Sequence, residues 1–407
     1  MNTFKYIDGR LHCEDVDLSI LGETYGTPLY VYSKKTIQEN AKAYVDSFTN
    51  SNNLACFAVK SLSNLSILNI IKDRGCGFDI VSGGELHRVL SIGAEPKKVI
   101  FSGVGKKSDE ISFAIDKKIL LINAESKSEV EEINRIARKK RKRVQIGVRL
   151  NPNTDAKTLS QISTGKKDNK FGVNKKTFYD IVSYSRNSTN VDLKCLSVHI
   201  GSQILDHKPY EKMLKVIDNI LSKTNHNFEY IDLGGGMGIP YSDKNKKLNY
   251  SKYNIAIKKF LRKKNYKIIF EPGRSIIGNA GTLITKVIYI KDSQSKKFII
   301  LDAAMNDLMR PALYGAIHKT LPVVKLNKTS KKVYEFVGPI CESTDKFVTI
   351  KNFQELKEKD YIAICDVGAY GMSLSSNYNL RTKPLELLIK DNKIKIIRKR
   401  QKHKDLI

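Results

Sequence analysis

Residues Cys56–Asn64 read CFAVKSLSN, an apolar run that ends in one lysine, Lys60, and then becomes polar. The run has the length and composition of a buried strand. A lysine at the end of such a strand either extends to solvent or serves in chemistry, because burial lowers the pKa of its ammonium and makes the amine a nucleophile. The residues that end the neighbouring runs help to choose between these two interpretations.

The run around Lys60 belongs to a repeated pattern. From residue 27 to about 280, short apolar runs alternate with amphipathic stretches, which is typical of parallel strands joined by helices. Eight such runs occur, at 54–59, 77–81, 98–101, 119–122, 144–150, 193–200, 228–233 and 267–270. Eight strands with helical crossovers predict a closed (β/α)8 TIM barrel, whereas an open doubly wound sheet more often has five to seven.

Two kinds of local signal lie between these runs. Ser82 with Glu85, and Ser128 with Glu131, have the spacing of capping boxes and predict helix starts. Two polar inserts, 151–172 and 240–252, interrupt the repeat. Long loops on the carboxyl face of a barrel commonly form lids or subunit contacts.

The pattern changes after Gly281, where apolar residues alternate with period two. Strands are expected at 282–290, 297–301, 333–337, 361–365, 385–390 and 393–397, which predicts a mostly antiparallel β domain. The turn Asp8-Gly9 near the start predicts a hairpin that joins this domain. We therefore expect a barrel at 27–280 and a β-sandwich or barrel-like domain formed by 1–26 plus 281–407.

Composition excludes several classes of protein. The chain has 407 residues, 41% of them hydrophobic, which suffices for a large core. Neither an opening signal peptide nor an apolar run of membrane-spanning length is seen, so we expect a cytoplasmic protein without a membrane partner. The six scattered cysteines form no CxxC pair and predict neither disulfides nor a metal site. The net charge of +29 permits a nucleic-acid partner, but spread basic residues fit a solvated surface better.

Polar residues and glycines follow several of the eight runs, where barrel enzymes carry their chemistry. They include Lys60, Asp79, Arg149, His199, Ser202, Gly234–Gly236 and Glu271–Arg274. Glycines after the seventh run and the Pro272-Gly273-Arg274 segment after the eighth predict a phosphate site, although GGGMG alone would as often be a tight turn. The chain lacks a dinucleotide fingerprint and a GxxxxGK[ST] loop.

A phosphate site together with a lysine, a histidine and a carboxylate predicts a pyridoxal phosphate pocket. Lys60 would form the Schiff base, Glu271 would face the ring nitrogen and His199 would lie against the ring. Taken singly, His199 could be a core histidine and Glu271 a charge at a helix end. Asp79 and Arg149 stay ambiguous, because an ion pair inside the barrel would account for both.

Motifs along nearly the whole chain carry a family resemblance. They are YGTPLYVY from Tyr25, FAVKSLSN, GFDIVSGGEL, FSGVGK, VRLNPN, SVHIGSQI, DLGGGMGI, EPGRSI, DAAMNDLMRPALYGA, VGPICESTD and DVGAYGMSLSSNYN. By these motifs the chain resembles the alanine-racemase-like, fold-type III pyridoxal phosphate decarboxylases, and among them those acting on meso-diaminopimelate. The resemblance implies pyridoxal 5'-phosphate as cofactor, a homodimer with an active site shared between subunits, and conversion of meso-diaminopimelate to L-lysine and carbon dioxide, the last step of lysine biosynthesis.

The resemblance also implies roles for single residues. Cofactor contacts would be Lys60, His199, Ser202, Gly235, Gly236, Glu271, Pro272, Gly273, Arg274 and Tyr370; substrate contacts would be Arg274, Arg310, Tyr314, Glu342 and Tyr370. Cys341 is similar to the thiol that protonates the carbanion from the second subunit. Taken alone, Cys341 would more often be a small buried residue, and Glu342 and Tyr314 would more often be surface and packing residues. Arg310 taken alone would as often form a surface ion pair as bind substrate.

The substrate can be checked against chemistry. Beyond its reacting end, diaminopimelate presents one carboxylate and one ammonium. Arg310 and Arg274 suit the carboxylate and Glu342 suits the ammonium. A relative acting on ornithine, arginine or carboxynorspermidine remains the alternative within the fold. A pyridoxal phosphate carrier without turnover is disfavoured, because such proteins resemble the barrel alone.

Overall fold

The computed structural model describes residues 3–48, 53–154, 165, 169–242 and 247–407. The chain divides into two compact units. One unit comprises Met1–Asn40, Tyr241–Asn245 and Ile276–Ile407, and the other comprises Ala41–Pro240 and Lys246–Ser275. Residues 155–164, 166–168 and 243–246, which make up much of the two predicted inserts, lie outside the described residues.

The strands and helices alternate through the middle of the chain. The strands are β1 (Phe4–Ile7), β2 (Arg10–Cys13), β3 (Val16–Asp17), β4 (Leu29–Ser33), β5 (Leu54–Ala58), β6 (Gly77–Ile80), β7 (Val99–Phe101), β8 (Leu121–Ala124), β9 (Val144–Arg149), β10 (Val191–Ser197), β11 (Tyr230–Asp232), β12 (Lys267–Phe270), β13 (Gly281–Asp292), β14 (Lys296–Leu301), β15 (Thr320–Pro322), β16 (Val333–Val337), β17 (Lys346–Ile350), β18 (Tyr361–Ile364), β19 (Leu385–Lys390) and β20 (Lys393–Arg398). The helices are α1 (Leu18–Tyr25), α2 (Lys34–Phe48), α3 (Leu65–Lys72), α4 (Gly83–Ser91), α5 (Ser108–Asp116), α6 (Lys127–Lys139), α7 (Lys175–Arg186), α8 (Lys208–Ser222), α9 (Tyr250–Leu261), α10 (Arg274–Ile277) and α11 (Arg310–Tyr314).

Strands β5 to β12 form the closed barrel that the eight apolar runs predict. Each pairs in parallel with the next, and β12 closes the barrel by pairing in parallel with β5, with Phe270 opposite Ala55. The strands are mostly apolar and buried, because helices cover the barrel from outside as in other (β/α)8 folds. Their carboxyl ends therefore converge at one face, where the predicted chemistry lies.

Several helices of the barrel unit start at a side chain that accepts a hydrogen bond from a free backbone N–H group. Ser82 accepts from the amide of Glu85 and begins α4, as predicted. Helix α6 begins two residues earlier than predicted, because Ser126 accepts from the amide of Glu129. The capping box assigned to Ser128 and Glu131 was therefore wrong. The basic run at 138–143 follows as the solvated end of the same helix.

The other unit is built from β-sheet, mostly antiparallel as predicted. Strands β1, β2 and β3 form a three-stranded antiparallel sheet around the expected hairpin. A larger sheet runs in the order β17-β16-β14-β13-β4-β19-β20, and β18 pairs with both β13 and β15. Only the β14–β16 and β4–β19 pairs are parallel among the described strands of this sheet.

Strand β4 departs from the expected domain boundaries. Its residues, 29–33, fall inside the range 27–280 predicted for the barrel, yet they pair with β13 on one side and β19 on the other. Its side chains Leu29 and Val31 lie in the hydrophobic core of that sheet unit. The barrel unit accordingly begins near residue 41 rather than at 27.

The structure bears on two expectations from composition. All six cysteines are free thiols, and Cys341 is exposed whereas the other five are buried. Among the described residues, no helix has both the length and the apolar character needed to cross a membrane.

Candidate active site

Lys60 lies directly after β5, in a short 3₁₀ turn at the carboxyl face of the barrel. Its Nζ donates to Asp79 Oδ2 at 3.3 Å, and Asp79 is the penultimate residue of the neighbouring strand β6. The Lys60 side chain is 39% exposed whereas that of Asp79 is fully buried, so the amine is accessible while its counter-ion is not. Asp79 Oδ1 is buried and has no hydrogen-bond partner among the described residues, which leaves an acceptor in the barrel mouth for a donor from a ligand.

A second pair of carboxyl groups lies at the ends of β11 and β12. Asp232 accepts from Asn123 Nδ2 at 2.9 Å, from Ser197 Oγ at 3.0 Å and from the Gly234 amide at 2.9 Å. Glu271 Oε1 accepts from Ser102 Oγ at 3.2 Å. These bonds fix two acidic side chains in the barrel interior.

The environment of these acids favours their protonated forms. Burial raises the pKa of Asp232 to about 6. Burial, together with the charges of Asp232 and Asp79, raises the pKa of Glu271 well above its ordinary range. Burial of the two neighbouring carboxyl groups therefore favours a proton held on the Asp232 and Glu271 pair.

His199 follows β10 and is held by the glycine turn. Its Nδ1 accepts a hydrogen bond from the Gly235 amide at 3.0 Å, so the ring nitrogen that carries the proton is Nε2. Burial, and then the charges of Arg149 and Lys60, lower the pKa of His199 well below its ordinary value. The ring is therefore neutral and suited to packing against an aromatic ligand.

The turn after β11 has no room for side chains. A Cβ at Gly235 would lie 2.1 Å from the Glu271 carbonyl oxygen, and one at Gly236, whose φ is +89°, would lie 2.3 Å from the Gly201 carbonyl oxygen. Neither Gly236 nor Gly273 donates its backbone N–H to another described residue. Bare amides in a glycine turn are the chemistry with which proteins bind phosphate.

The segment after β12 is fixed at the same face. The Pro272 carbonyl oxygen accepts from the Ala58 amide at 2.9 Å, which ties the segment to the end of β5 beside Lys60. Arg274 Nη2 donates to Ser202 Oγ at 3.1 Å, and the Arg274 side chain is buried. Lys60, the buried carboxyl group of Asp79, the glycine turn and Glu271 together form a donor and acceptor set that fits pyridoxal phosphate.

The ambiguous pair Asp79 and Arg149 is resolved by the structure. Asp79 pairs with Lys60, whereas Arg149 Nη1 donates to Glu125 Oε1 at 3.1 Å. Glu125 also accepts from the amides of Gly103 and Gly172, at 3.1 and 2.9 Å. Two separate ion pairs thus replace the single one that the sequence suggested.

The remaining predicted residues lie in the sheet unit, in three places. Arg310 and Tyr314 are the two ends of α11, and Arg310 is buried against His318, with Nη1 2.8 Å from His318 Nε2. Cys341 and Glu342 lie in an exposed turn before β17, where Glu342 bonds to the Tyr378 hydroxyl and to Thr344.

Tyr370 occupies a position of its own in this unit. It follows β18 and has a φ of +58°, an uncommon conformation for a residue with a large side chain. Arg310 and Glu342 are predicted to recognise opposite charges. They belong to separate polar groups within the unit, one around His318 and the other around Tyr378.

Several polar residues of these groups escaped the sequence analysis. Asp232 lies near the end of the seventh run in DLGGGMG, two residues before the first of the three glycines. Asn123 and Ser102 directly follow the fourth and third runs, so the strand-end rule already applied to them. Asp345 fixes the Cys341 turn by accepting from the Met305 and Ile340 amides at 2.7 and 2.8 Å. Its place as the last letter of CESTD was the available signal.

Comparison with known proteins agrees with this geometry. Residues 34–278 match the family model described as pyridoxal-dependent decarboxylase, pyridoxal binding domain. The diaminopimelate decarboxylase of Aquifex aeolicus is 41% identical over 402 residues, which cover 98% of this chain and 95% of that enzyme. The chain belongs to the diaminopimelate decarboxylase family.

Solved structures of the family have the same fold. The Helicobacter pylori diaminopimelate decarboxylase, complexed with L-lysine, is 39% identical with a TM-score of 0.90, covering 96% of this chain and 98% of that one. The diaminopimelate decarboxylase from M. jannaschii, in co-complex with L-lysine, is 34% identical with a TM-score of 0.94, covering 100% of this chain and 96% of that one. Diaminopimelate decarboxylases thus match the chain over both units.

Proposed function

We propose that the chain decarboxylates meso-2,6-diaminopimelate to L-lysine and carbon dioxide with pyridoxal 5'-phosphate as cofactor. The observation that carries the proposal is the accessible Lys60 amine beside fully buried Asp79, at the same barrel face as the glycine turn and Glu271. The diaminopimelate decarboxylases of Aquifex aeolicus and Haemophilus influenzae align with 98% and 100% of the chain.

The barrel residues would hold the cofactor and manage protons. Bound pyridoxal phosphate supplies an electron sink for the electron pair left behind when carbon dioxide departs. Lys60 would hold the cofactor through Nζ and exchange that place with the substrate amine. Asp79 accepts from Nζ and so keeps the Lys60 ammonium beside the reacting centre whenever the amine is released.

The other barrel residues would orient the ring and its phosphate. The amides of Gly236 and Gly273 suit phosphate oxygens. His199, neutral and fixed by Gly235, suits the ring face. Burial and the charges of Asp232 and Asp79 raise the pKa of Glu271, but a cationic ring nitrogen would favour its carboxylate form and would pair with it. Ser202 and Arg274, already bonded to each other, line the same face.

Substrate recognition and protonation would involve the sheet unit. Arg310 with Tyr314 suits the carboxylate that is retained, Glu342 suits the distal ammonium, and Tyr370 suits both cofactor and substrate. Cys341 Sγ would deliver the proton that replaces the departing carboxylate. Because this thiol is exposed in its own chain, we propose a homodimer in which Cys341 of one subunit serves the site of the other.

Product analysis on purified protein tests this function. The protein, supplied with pyridoxal phosphate, is incubated separately with meso-diaminopimelate, L-ornithine and L-arginine, and carbon dioxide and amine products are measured. We expect one lysine per carbon dioxide from diaminopimelate. We also expect a kcat/KM at least about 100-fold above that for ornithine, because a site built for a charged group loses about 2–3 kcal/mol when that group is missing. A preference for ornithine or arginine would instead support the alternative decarboxylase.

A further inference from the structure

Arg310 is hydrogen-bonded to His318, a residue that lies outside the motifs quoted above. It begins α11 and is only 5% exposed, and its Nη1 lies 2.8 Å from Nε2 of His318, which is 2% exposed. A guanidinium group can donate hydrogen bonds but cannot accept them. His318 Nε2 must therefore be the acceptor, without a proton of its own.

The other imidazole nitrogen fixes this tautomer. His318 Nδ1 lies 2.9 Å from the Cys365 carbonyl oxygen, which can only accept, so Nδ1 carries the proton. The Cys365 amide donates to the Lys319 carbonyl oxygen at 2.8 Å, and β15 and β18 continue the pairing from Thr320 opposite Ile364. The imidazole is thus neutral, in one orientation, at the end of a sheet ladder.

Tyr241 completes the arrangement from a second direction. Its ring centroid lies 4.7 Å from Arg310 Cζ, and the ring meets that of His318 edge to face, at 5.2 Å and 80°. All three residues belong to the same compact unit. A hydrogen bond to His318 and the face of the Tyr241 ring thus both restrain the guanidinium plane.

We propose that His318 is the positioning residue that orients Arg310 toward the substrate carboxylate that is not released, and that it thereby sets the preference for a dicarboxylic amino acid. The inference rests on the proposed function and specifies how one of its charges is recognised. A planar guanidinium pairs with a carboxylate through two parallel N–H groups, so its orientation matters as much as its charge. Preorganisation of this kind lowers the entropy lost on binding.

The test compares two substitutions that differ in one property. His318→Gln keeps a side-chain oxygen able to accept from Arg310, whereas His318→Leu does not. For each holoenzyme, kcat and KM with meso-diaminopimelate are measured, together with the inhibition constants of L-lysine, which keeps the carboxylate, and 1,5-diaminopentane, which lacks it. His403→Leu, at an exposed position near the chain end, serves as the control.

We expect His318→Leu to raise KM and the L-lysine inhibition constant by about 10-fold, with kcat and the 1,5-diaminopentane constant within about 3-fold of wild type. His318→Gln should recover most of this loss, and His403→Leu should match wild type. An unchanged KM in His318→Leu overturns the inference, as does an equal loss for both inhibitors or an equal defect in the two variants. Absence of turnover by the wild type would instead overturn the proposed function.

Discussion

The group around Lys60 and the turn around Cys341 hold their polar side chains in opposite ways. In the barrel, Asp79 and Asp232 are fully buried at the ends of separate strands, and their partners are mainly other side chains. In the turn at 338–345, Cys341 is exposed, and the shape comes from one buried residue, Asp345, which binds backbone amides.

This contrast indicates which of the two groups is complete within one chain. Burial raises the pKa of Asp232 and controls the charge around Lys60 without help from another molecule. The Cys341 thiol is open to solvent, and water must be excluded from it before it can deliver a proton selectively. We therefore expect the barrel group to determine cofactor binding, and the turn to require a second surface for its function.

Among the substitutions, replacement of Lys60 should have the largest effect. It tests whether the barrel group binds the cofactor and supports turnover. Lys60→Ala and Lys60→Arg should both lose turnover by about 10⁴-fold, the upper end for loss of a proton-transferring group. Arginine keeps a cation beside Asp79 but provides no nucleophilic amine at neutral pH. Turnover and the visible absorbance of bound cofactor are measured for each.

Lys98→Ala is the matched control for this experiment. Lys98 is 43% exposed, close to the 39% of Lys60, but it precedes β7 at the opposite end of the barrel and pairs only with Glu95 within the described residues. It should retain wild-type turnover and absorbance. Decarboxylation retained by Lys60→Ala would remove Lys60 from the mechanism.

Replacement of Cys341 tests the role of the exposed turn at 338–345. Cys341→Ala should bind cofactor normally, because the turn lies outside the barrel group, and should lose turnover by about 10²- to 10³-fold, as for a missing general acid. Ser343→Ala alters a neighbouring exposed residue of the same turn and should be neutral. If Cys341→Ala turns over at the wild-type rate, the thiol has no part in protonation.

Mixing the two inactive variants shows whether the two regions meet across a subunit boundary. In a dimer with shared sites, a hybrid of Lys60→Ala and Cys341→Ala subunits has one site with both native residues. An equal mixture that exchanges subunits should therefore recover about a quarter of wild-type turnover. No recovery, with exchange verified by mass, would place both residues of each site on one chain.

The same two regions explain what the sequence could and could not predict. The barrel strands were predictable because each is a short apolar run, and the position of Lys60 at the carboxyl face was predictable because it directly follows one of them. The Asp232 and Glu271 pair, and the strand β4 between β13 and β19, depend on contacts between residues far apart in the chain. The start of α6 was misplaced because Ser126 and Ser128 both offer a cap, and only helix packing chooses between them.

The unfolding free energy should depend on pH in opposite ways for buried and exposed carboxyl groups. The pKa of Asp232 is raised from 3.8 to about 6, so its stabilising contribution is complete below about 3.8 and is lost as the pH rises through about 6. Relative to Asp232→Asn, the cofactor-free wild type should lose unfolding free energy as the pH rises from 4 to 7.

Urea denaturation at several pH values measures this difference, and Asp116→Asn provides a control of opposite sign. Asp116 is exposed, and hydrogen bonds from Lys140 and Lys142 lower its pKa, so its contribution is lost as the pH falls. A difference between wild type and Asp232→Asn that does not change with pH would contradict the raised pKa.

The smallest effect is expected at Glu342, next to Cys341 in the exposed turn. Glu342→Gln removes the charge proposed to pair with the distal ammonium and should raise KM for diaminopimelate by about 10-fold, equivalent to about 1.4 kcal/mol, with little change in kcat. Tyr378→Phe removes only the hydroxyl that bonds to Glu342 and should raise KM less. Glu355→Gln, which breaks an exposed pair with Lys328, should leave KM unchanged. If Glu342→Gln lowers kcat as strongly as Cys341→Ala does, Glu342 acts with the thiol in proton transfer, and the turn is a catalytic unit rather than a thiol beside a binding charge.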